Sequence, residues 1–201
     1  MRDAPRGLWR NQSQIILIAK AALVSQEPAS QRSPRGDSHR RSTQPKNQTA
    51  NHHLTMSNHI PMISSGTAGP LGVIHLPRLW QKISLETQGK LHADYPGIGK
   101  GYDGMVLAAL NLQESAVREF IKTKPSYIQF EAWIKAQPGV KLDKATIYKN
   151  NAAIRGYIHD DATRKGILAA AGVTDENSVS PGAVDLNNLD DWATFHKEVL
   201  S

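Results

Sequence analysis

The chain has no cysteine among its 201 residues, which excludes disulfide bonds, thiolate metal sites and cysteine nucleophiles. It also lacks an apolar run of the roughly 20 residues that a membrane span needs. The longest such stretch, Ile15–Val24, follows three arginines as in a secretory signal, but Lys20 interrupts it. We therefore expect no membrane association and a cytoplasmic protein.

An excess of positive charge is missing from the larger part of the chain. Of the 24 basic and 18 acidic residues, nine basic and three acidic ones precede residue 61, so the remainder carries 15 of each sign. Sequence-independent binding to the phosphate groups of a nucleic acid needs a concentrated cationic surface. The charge distribution therefore argues against a nucleic-acid partner for the domain.

Large apolar residues are rare over Glu27–Asn58, where Ser, Gln, Arg, Asn, Pro and Thr dominate. Such a segment buries too little apolar surface to offset the entropy of ordering. We predict a disordered basic extension over residues 1–61 and a folded domain over residues 62–201. The extension is either an over-extended reading frame, with the natural start at Met56, or a functional tail.

No segment alternates apolar and polar residues with the period of a half-buried strand. Signals for helices recur instead: Pro77 suits a first turn, Ser126 with Gln129 forms a capping box, and Asp143 opens a longer helix. The predicted fold class is all-α, a compact single domain of about seven short helices. The predicted helices cover about 76–88, 105–110, 112–123, 126–138, 143–157, 162–171 and 189–200.

Two details of the predicted core invite a check against the structure. Three of the four tryptophans are expected inside it, and Trp192, Phe195, His196 and Val199 are expected to face inward from the last helix. Asn151, by contrast, is a polar residue on the otherwise apolar stripe of its helix.

One series of motifs is spread over most of the domain: the run GVIHLPRLWQKISLETQGKL, then Gly99-Lys100-Gly101, Phe130-Glu131-Ala132-Trp133 and the closing Asp-Trp and Phe-His pairs. In these motifs the chain resembles a bacterial family named domain of unknown function 5069, over about Gly72 to Ser201. Gln81 is a departure, because the family typically has an acidic residue there. The resemblance implies a stand-alone bacterial domain and supplies no catalytic residues.

Most motifs in the domain have an ordinary structural explanation. Gly99, Gly101 and Gly104 match a dinucleotide fingerprint in spacing, but no buried strand precedes them. No serine lies in a recognisable elbow beside a histidine, and His159 with Asp160 and Asp161 is explained by a helix cap. We therefore expect no cofactor and no metal, and the catalytic residues stay unknown.

One group of residues suggests an anion site. Arg78 and Lys82 lie four apart on one helical face, and a glycine-rich loop bearing Lys100 follows closely. Backbone amides of Gly99 and Gly101 beside these cations form a plausible pocket for a small anion. The alternative is that Arg78 and Lys82 are solvated or paired with Glu86 and Asp103.

Two functions remain open from the sequence. The first is an interaction or small-ligand-binding module whose partner is a small anion or another protein. The second is a small enzyme acting on an anionic metabolite. An enzyme should bring His75, His92 or His196 together with a carboxylate, whereas a binding module should present an apolar or cationic patch.

Overall fold

A computed structural model describes residues 58–174 and 182–201. These residues form seven α-helices in the order α1 (Leu76–Thr87), α2 (Tyr102–Leu110), α3 (Glu114–Ile121), α4 (Tyr127–Lys135), α5 (Lys144–Arg155), α6 (Asp161–Ala170) and α7 (Ala183–Phe195), with a π-helical turn, His196–Leu200, at the end. The described residues contain no extended strand, and only three isolated β-bridges occur among them. The all-α prediction is confirmed for this part of the chain.

The predicted disordered extension falls almost entirely on residues 1–57, which lie outside the described residues. The described chain starts at Asn58, and His59 already pairs through its backbone with Lys90 and His92. In the part of the chain described, no helix has the length and apolar content needed to cross a membrane.

Several helices begin where the sequence predicts. The Ser126 hydroxyl accepts the Gln129 N–H and the Gln129 side chain accepts the Ser126 N–H, which completes the capping box of α4. Asp143 caps α5 by accepting the N–H of Thr146 at 2.9 Å. Helix α2, in contrast, begins at Tyr102, before the predicted start at residue 105. Asp103 therefore lies in its first turn, and its carboxylate points into the protein and does not cap the helix.

The core is built around α1, which contacts α2, α3 and α4. These four helices and α5 supply ten apolar side chains with at most 1% exposure: Leu76, Leu79, Ile83, Val106, Leu110, Val117, Ile121, Phe130, Ile134 and Ile154. Val73 and Ile74 before α1, Leu168 of α6 and Leu186 of α7 are equally buried. Each side chain of this size stabilises the fold by about 1.5–3 kcal/mol when buried. Helix α1 is therefore enclosed on several sides, and polar residues on it must find partners inside the protein.

The prediction that three tryptophans lie in the core is wrong. Trp80 and Trp133 are half-buried, and the Trp133 ring stacks on Phe120 at 4.7 Å and 8°. Trp192 is 58% exposed and Val199 is 57% exposed. The reason is the register of α7: Asp191 points inward, so the next residue, about 100° further round the helix, points outward.

Side chains from the helices hold the irregular segment 58–75 in place. Asn151 accepts the Ile74 N–H at 2.9 Å and donates to the Gly72 carbonyl at 2.7 Å. Glu131, only 3% exposed, accepts the Leu71 N–H and the Tyr127 hydroxyl. Asn151, the polar residue predicted on the apolar stripe of α5, therefore supplies hydrogen bonds to backbone groups of a segment that forms few backbone hydrogen bonds of its own.

Candidate functional site

Two basic residues of α1, and the histidine just before the helix, lie on its buried face. His75, immediately before the helix, and Arg78 and Lys82 within it follow the spacing i, i+3, i+7, which places them within about 60° of one another. All three are buried, with 3%, 5% and 6% of their surfaces exposed. A helix with this pattern must supply internal partners for its charges, because a buried unpaired charge is strongly unfavourable.

Asp103 of α2 is the partner of two of these residues. One carboxylate oxygen lies 2.8 Å from His75 Nε2, and the other accepts Lys82 Nζ at 2.5 Å and the Gly99 N–H at 2.7 Å. The carboxylate is 2% exposed. Three donors from α1 and from the glycine-rich loop therefore converge on one internal anion.

The protonation states follow from these contacts. Burial alone would raise the pKa of Asp103, but the hydrogen bond from His75 and the charge of Lys82 lower it to about 2. Burial lowers the pKa of His75, and this effect exceeds the opposing attraction of Asp103. At neutral pH the cluster therefore contains an ionised carboxylate and a neutral imidazole.

Arg78 has a different partner, Asp191 of α7. Its guanidinium donates two hydrogen bonds to that carboxylate, at 2.7 and 2.9 Å, and also donates to the carbonyls of Pro61 and Ile63. The ring of Tyr95 lies 6.0 Å from the guanidinium carbon. This single side chain thus joins α1, α7 and the amino-terminal segment.

The glycine-rich loop binds carboxylates of the protein itself. The N–H of Gly97 donates to Glu86, just as that of Gly99 donates to Asp103. A Cβ atom at Gly97 would displace the Glu86 carboxylate from its present position. Lys100 and Gly101 are exposed and lie beyond these contacts.

The structure therefore places the predicted anion-site residues in two groups. Arg78, Lys82 and Gly99 are engaged with internal carboxylates, whereas Lys100 and Gly101 face solvent. Of the alternative pairings considered from the sequence, Lys82 with Asp103 is present. Glu86 instead pairs with Arg118 of α3, at 2.5 Å. Binding of an external anion by this set of residues stays a prediction.

His75 is the residue with the most unusual environment. Its backbone is left-handed, with φ of 72°, a conformation that costs energy for any residue with a Cβ. Its Nδ1 atom is buried without a hydrogen-bond partner in the part of the chain described. The Tyr102 ring packs edge-on against it at 5.3 Å. An oriented imidazole with one unused nitrogen has the chemistry of a proton acceptor.

Within the described residues, no hydrogen bond to a carboxylate is made by His92, His159 or His196. His159 contacts the side chain of Asn187 at 3.0 Å, and His92 Nδ1 lies 3.3 Å from the Asp94 N–H. His196 is exposed at the end of α7. Across residues 58–174 and 182–201, no three histidine, aspartate or glutamate side chains are grouped as metal ligands.

Sequence reasoning missed Asp191 as a partner of Arg78. The only available signal was the Asp-Trp pair near the end of the chain. Arg78 and Asp191 are 113 positions apart, and no pattern in the sequence indicates that they pair. Gln81, the departure from the family pattern, also has a visible role. Its side-chain oxygen accepts the Ile63 N–H at 3.1 Å, a bond that a carboxylate would also accept.

Comparisons with known proteins agree with the resemblance seen in the sequence. Residues 63–192 match the sequence model of a family described as a domain of unknown function, DUF5069. No curated protein and no solved structure matches the chain. The matched region covers all of α1 to α6, the residues around both buried carboxylates and most of α7. The chain therefore belongs to the DUF5069 family.

Proposed function

We propose that this domain is a binding module and that its buried charged cluster is the scaffold of the fold. The observation that supports this proposal is that the charged groups of the cluster already have hydrogen-bond partners within the protein. The carboxylate of Asp103 receives three donors, and the guanidinium of Arg78 makes four hydrogen bonds within the protein. A substrate or anion would have to displace one of these internal partners before it could bind.

A scaffold role also agrees with the cost of the arrangement. Breaking one member of a buried ion pair leaves an uncompensated charge, which destabilises a protein by about 3–5 kcal/mol. The two pairs connect α1 to α2 and to α7, so they fix the relative positions of three helices. Recognition then belongs to the exposed surface.

Thermal denaturation in the presence of phosphate, sulfate or citrate tests this proposal. A ligand that binds only the folded state raises stability by RT ln(1+[L]/Kd). We expect the same small shift in the wild type and in Lys82→Gln, because Lys82 is buried and already paired with Asp103. An anion-dependent stabilisation that disappears in Lys82→Gln, and also in Lys100→Gln, would instead establish the small-anion site predicted from the sequence.

A second candidate is an enzyme acting on an anionic metabolite, and the unpartnered Nδ1 of His75 favours it. Asp103 orients the imidazole through Nε2, as a carboxylate orients a general base. The test is turnover of a panel of phosphorylated and carboxylated metabolites followed by NMR. Activity that is lost in His75→Asn while the variant stays folded would favour the enzyme over the binding module.

The cellular location belongs to the same proposal. The resemblance to a stand-alone bacterial domain supports a protein of the bacterial cytoplasm. Cell fractionation of the full chain with a carboxy-terminal tag tests this location.

A further inference from the structure

Helix α5 presents a basic face to solvent, outside the charged cluster. This face consists of Lys144, Tyr148, Lys149 and Arg155, all exposed, and Tyr148 exposes 77% of its surface. The helix contains no acidic residue from Lys144 to Arg155. We call these four residues the basic face.

The geometry of an α-helix aligns three of the four residues. At 100° per residue, Lys144, Tyr148 and Arg155 lie within about 40° of one another, and the first and last are roughly 16 Å apart along the axis. Lys149 flanks this row on one side. An exposed aromatic ring thus lies between two cations on a straight line.

The cations of the basic face also form no ion pair with any residue that the structure describes. Elsewhere on the surface, Arg118 pairs with Glu86 and Glu114, and Lys122 pairs with Glu119. No such pair involves Lys144, Lys149 or Arg155 in the part of the chain that the structure describes. Asp143, at the start of α5, is already engaged by the N–H and hydroxyl of Thr146.

From these observations we propose that the basic face is a docking surface for an acidic polypeptide segment. Tyrosine and arginine are the residue types that carry binding energy at protein interfaces, and charges around them select an oppositely charged partner. The partner should present carboxylates about 16 Å apart with an apolar side chain between them to cover Tyr148. This inference rests on the proposed role as a binding module.

A polypeptide fits the face better than a nucleic acid or a membrane. Sequence-independent binding of nucleic acids needs an extended cationic surface, whereas the chain beyond residue 60 has equal numbers of basic and acidic residues. Membrane-surface helices combine basic residues with a large apolar face. The exposed positions between the cations of α5 are instead occupied by Tyr148 and by three alanines, Ala145, Ala152 and Ala153.

The experiment is a titration of the full chain, labelled with ¹⁵N, with a glutamate-rich peptide that has a central leucine. We expect chemical-shift changes along α5, binding that weakens with added salt, and a loss of affinity of about tenfold or more in Lys144→Glu, Arg155→Glu and Tyr148→Ala. Lys90→Glu is the matched control, because Lys90 is exposed and lies outside the face. It should bind the peptide like the wild type.

Parallel titrations with oligothymidylate and with vesicles containing phosphatidylserine complete the test. Tighter binding of either probe than of the peptide overturns the proposal of a polypeptide partner. Peptide binding that does not depend on the basic face, or no binding at all, also overturns it. The proposed function fails by different results, which the α5 variants leave unchanged. A Lys82-dependent stabilisation by anions contradicts the scaffold role of the charged cluster, and a His75-dependent turnover contradicts the binding module.

Discussion

Arg78 and Asp191 form a two-pronged ion pair across 113 residues of sequence, with both side chains almost completely buried. Removing the guanidinium leaves a buried carboxylate and two carbonyl groups without their donor. We expect Arg78→Ala to lower the free energy of unfolding by about 3–5 kcal/mol, measured by urea denaturation.

The control for this variant is Arg118→Ala. Arg118 also pairs with two carboxylates, but its side chain is 38% exposed. Solvent-exposed ion pairs contribute about 0–1 kcal/mol, so the control should unfold near the wild type. Equal losses in the two variants would contradict the assignment of Arg78 as an internal cross-link.

The stability of the domain should decrease as the pH falls below about 6.5, in part because of His75. Its folded pKa lies below the ordinary value of 6.5, so the unfolded chain binds a proton that the folded protein excludes. Stability attributable to this group is fully present above pH 6.5 and is lost as the pH falls toward the folded pKa. Melting temperatures between pH 7.5 and 5 measure the effect.

His75→Asn provides the comparison. Asparagine tolerates the left-handed backbone at this position and does not titrate. The melting temperature of the variant should therefore depend less steeply on pH than that of the wild type, while the other histidines contribute equally to both profiles. Parallel profiles would show that His75 titrates normally in the folded state.

Asn151 should contribute more to the free energy of unfolding than its neighbour Asn150. The first makes two hydrogen bonds to backbone groups of the segment before α1, whereas the second makes one long contact of 3.5 Å with Asn151 itself. Asn151→Ala leaves the Ile74 N–H and the Gly72 carbonyl without partners, at a cost of about 1–3 kcal/mol. Asn150→Ala should cost less.

Hydrogen exchange gives an independent readout of the same contact. The amide of Ile74 should exchange faster in Asn151→Ala than in the wild type, and Asn150→Ala should leave its protection unchanged. Unchanged exchange in both variants would mean that the segment is held by its apolar side chains alone.

Trp133 of α4 and Trp192 of α7 should respond differently to truncation. Trp133 stacks on Phe120 and lies 6.0 Å from the Phe130 ring, so Trp133→Ala should cost about 3 kcal/mol, the lower end of the range for core aromatics. Trp192 is mainly exposed, and Trp192→Ala should change the stability by no more than about 0.5 kcal/mol. Urea denaturation of both variants decides between this arrangement and the inward register expected from the sequence.

The sequence predicted the parts of the fold that depend on local signals. The capping box of α4, the Asp143 cap of α5 and the stop of α1 before Gly89 are encoded within a few residues, and all are present. The start of α7 was missed by six residues, because the predicted start at Leu189 ignored the turn of helix that begins at Ala183. A helix whose inward face carries Asp191 has no simple apolar stripe from which its register could be inferred.

The candidate site was predicted in its components but only partly in its connections. Arg78, Lys82 and the glycine-rich loop were selected because cations and free amides attract anions, and the structure brings Lys82 and the Gly99 amide together on a carboxylate. That carboxylate belongs to Asp103, which the sequence offered as one alternative partner. The pairing of Arg78 with Asp191 was missed, because it depends on how α7 packs against α1, and such tertiary contacts leave no local trace in a single sequence.

The separation between Arg78 and Asp191 also has a consequence for synthesis on the ribosome. At translation rates of about 5–20 residues per second, Asp191 is made roughly 6–23 s after Arg78. During that interval α1 has its core-forming leucines but no counter-ion for its guanidinium, so the burial of this face is less favourable than in the complete domain. We therefore expect the domain to complete its folding after α7 has emerged, and nascent chains that stop before Asp191 should be clients of chaperones.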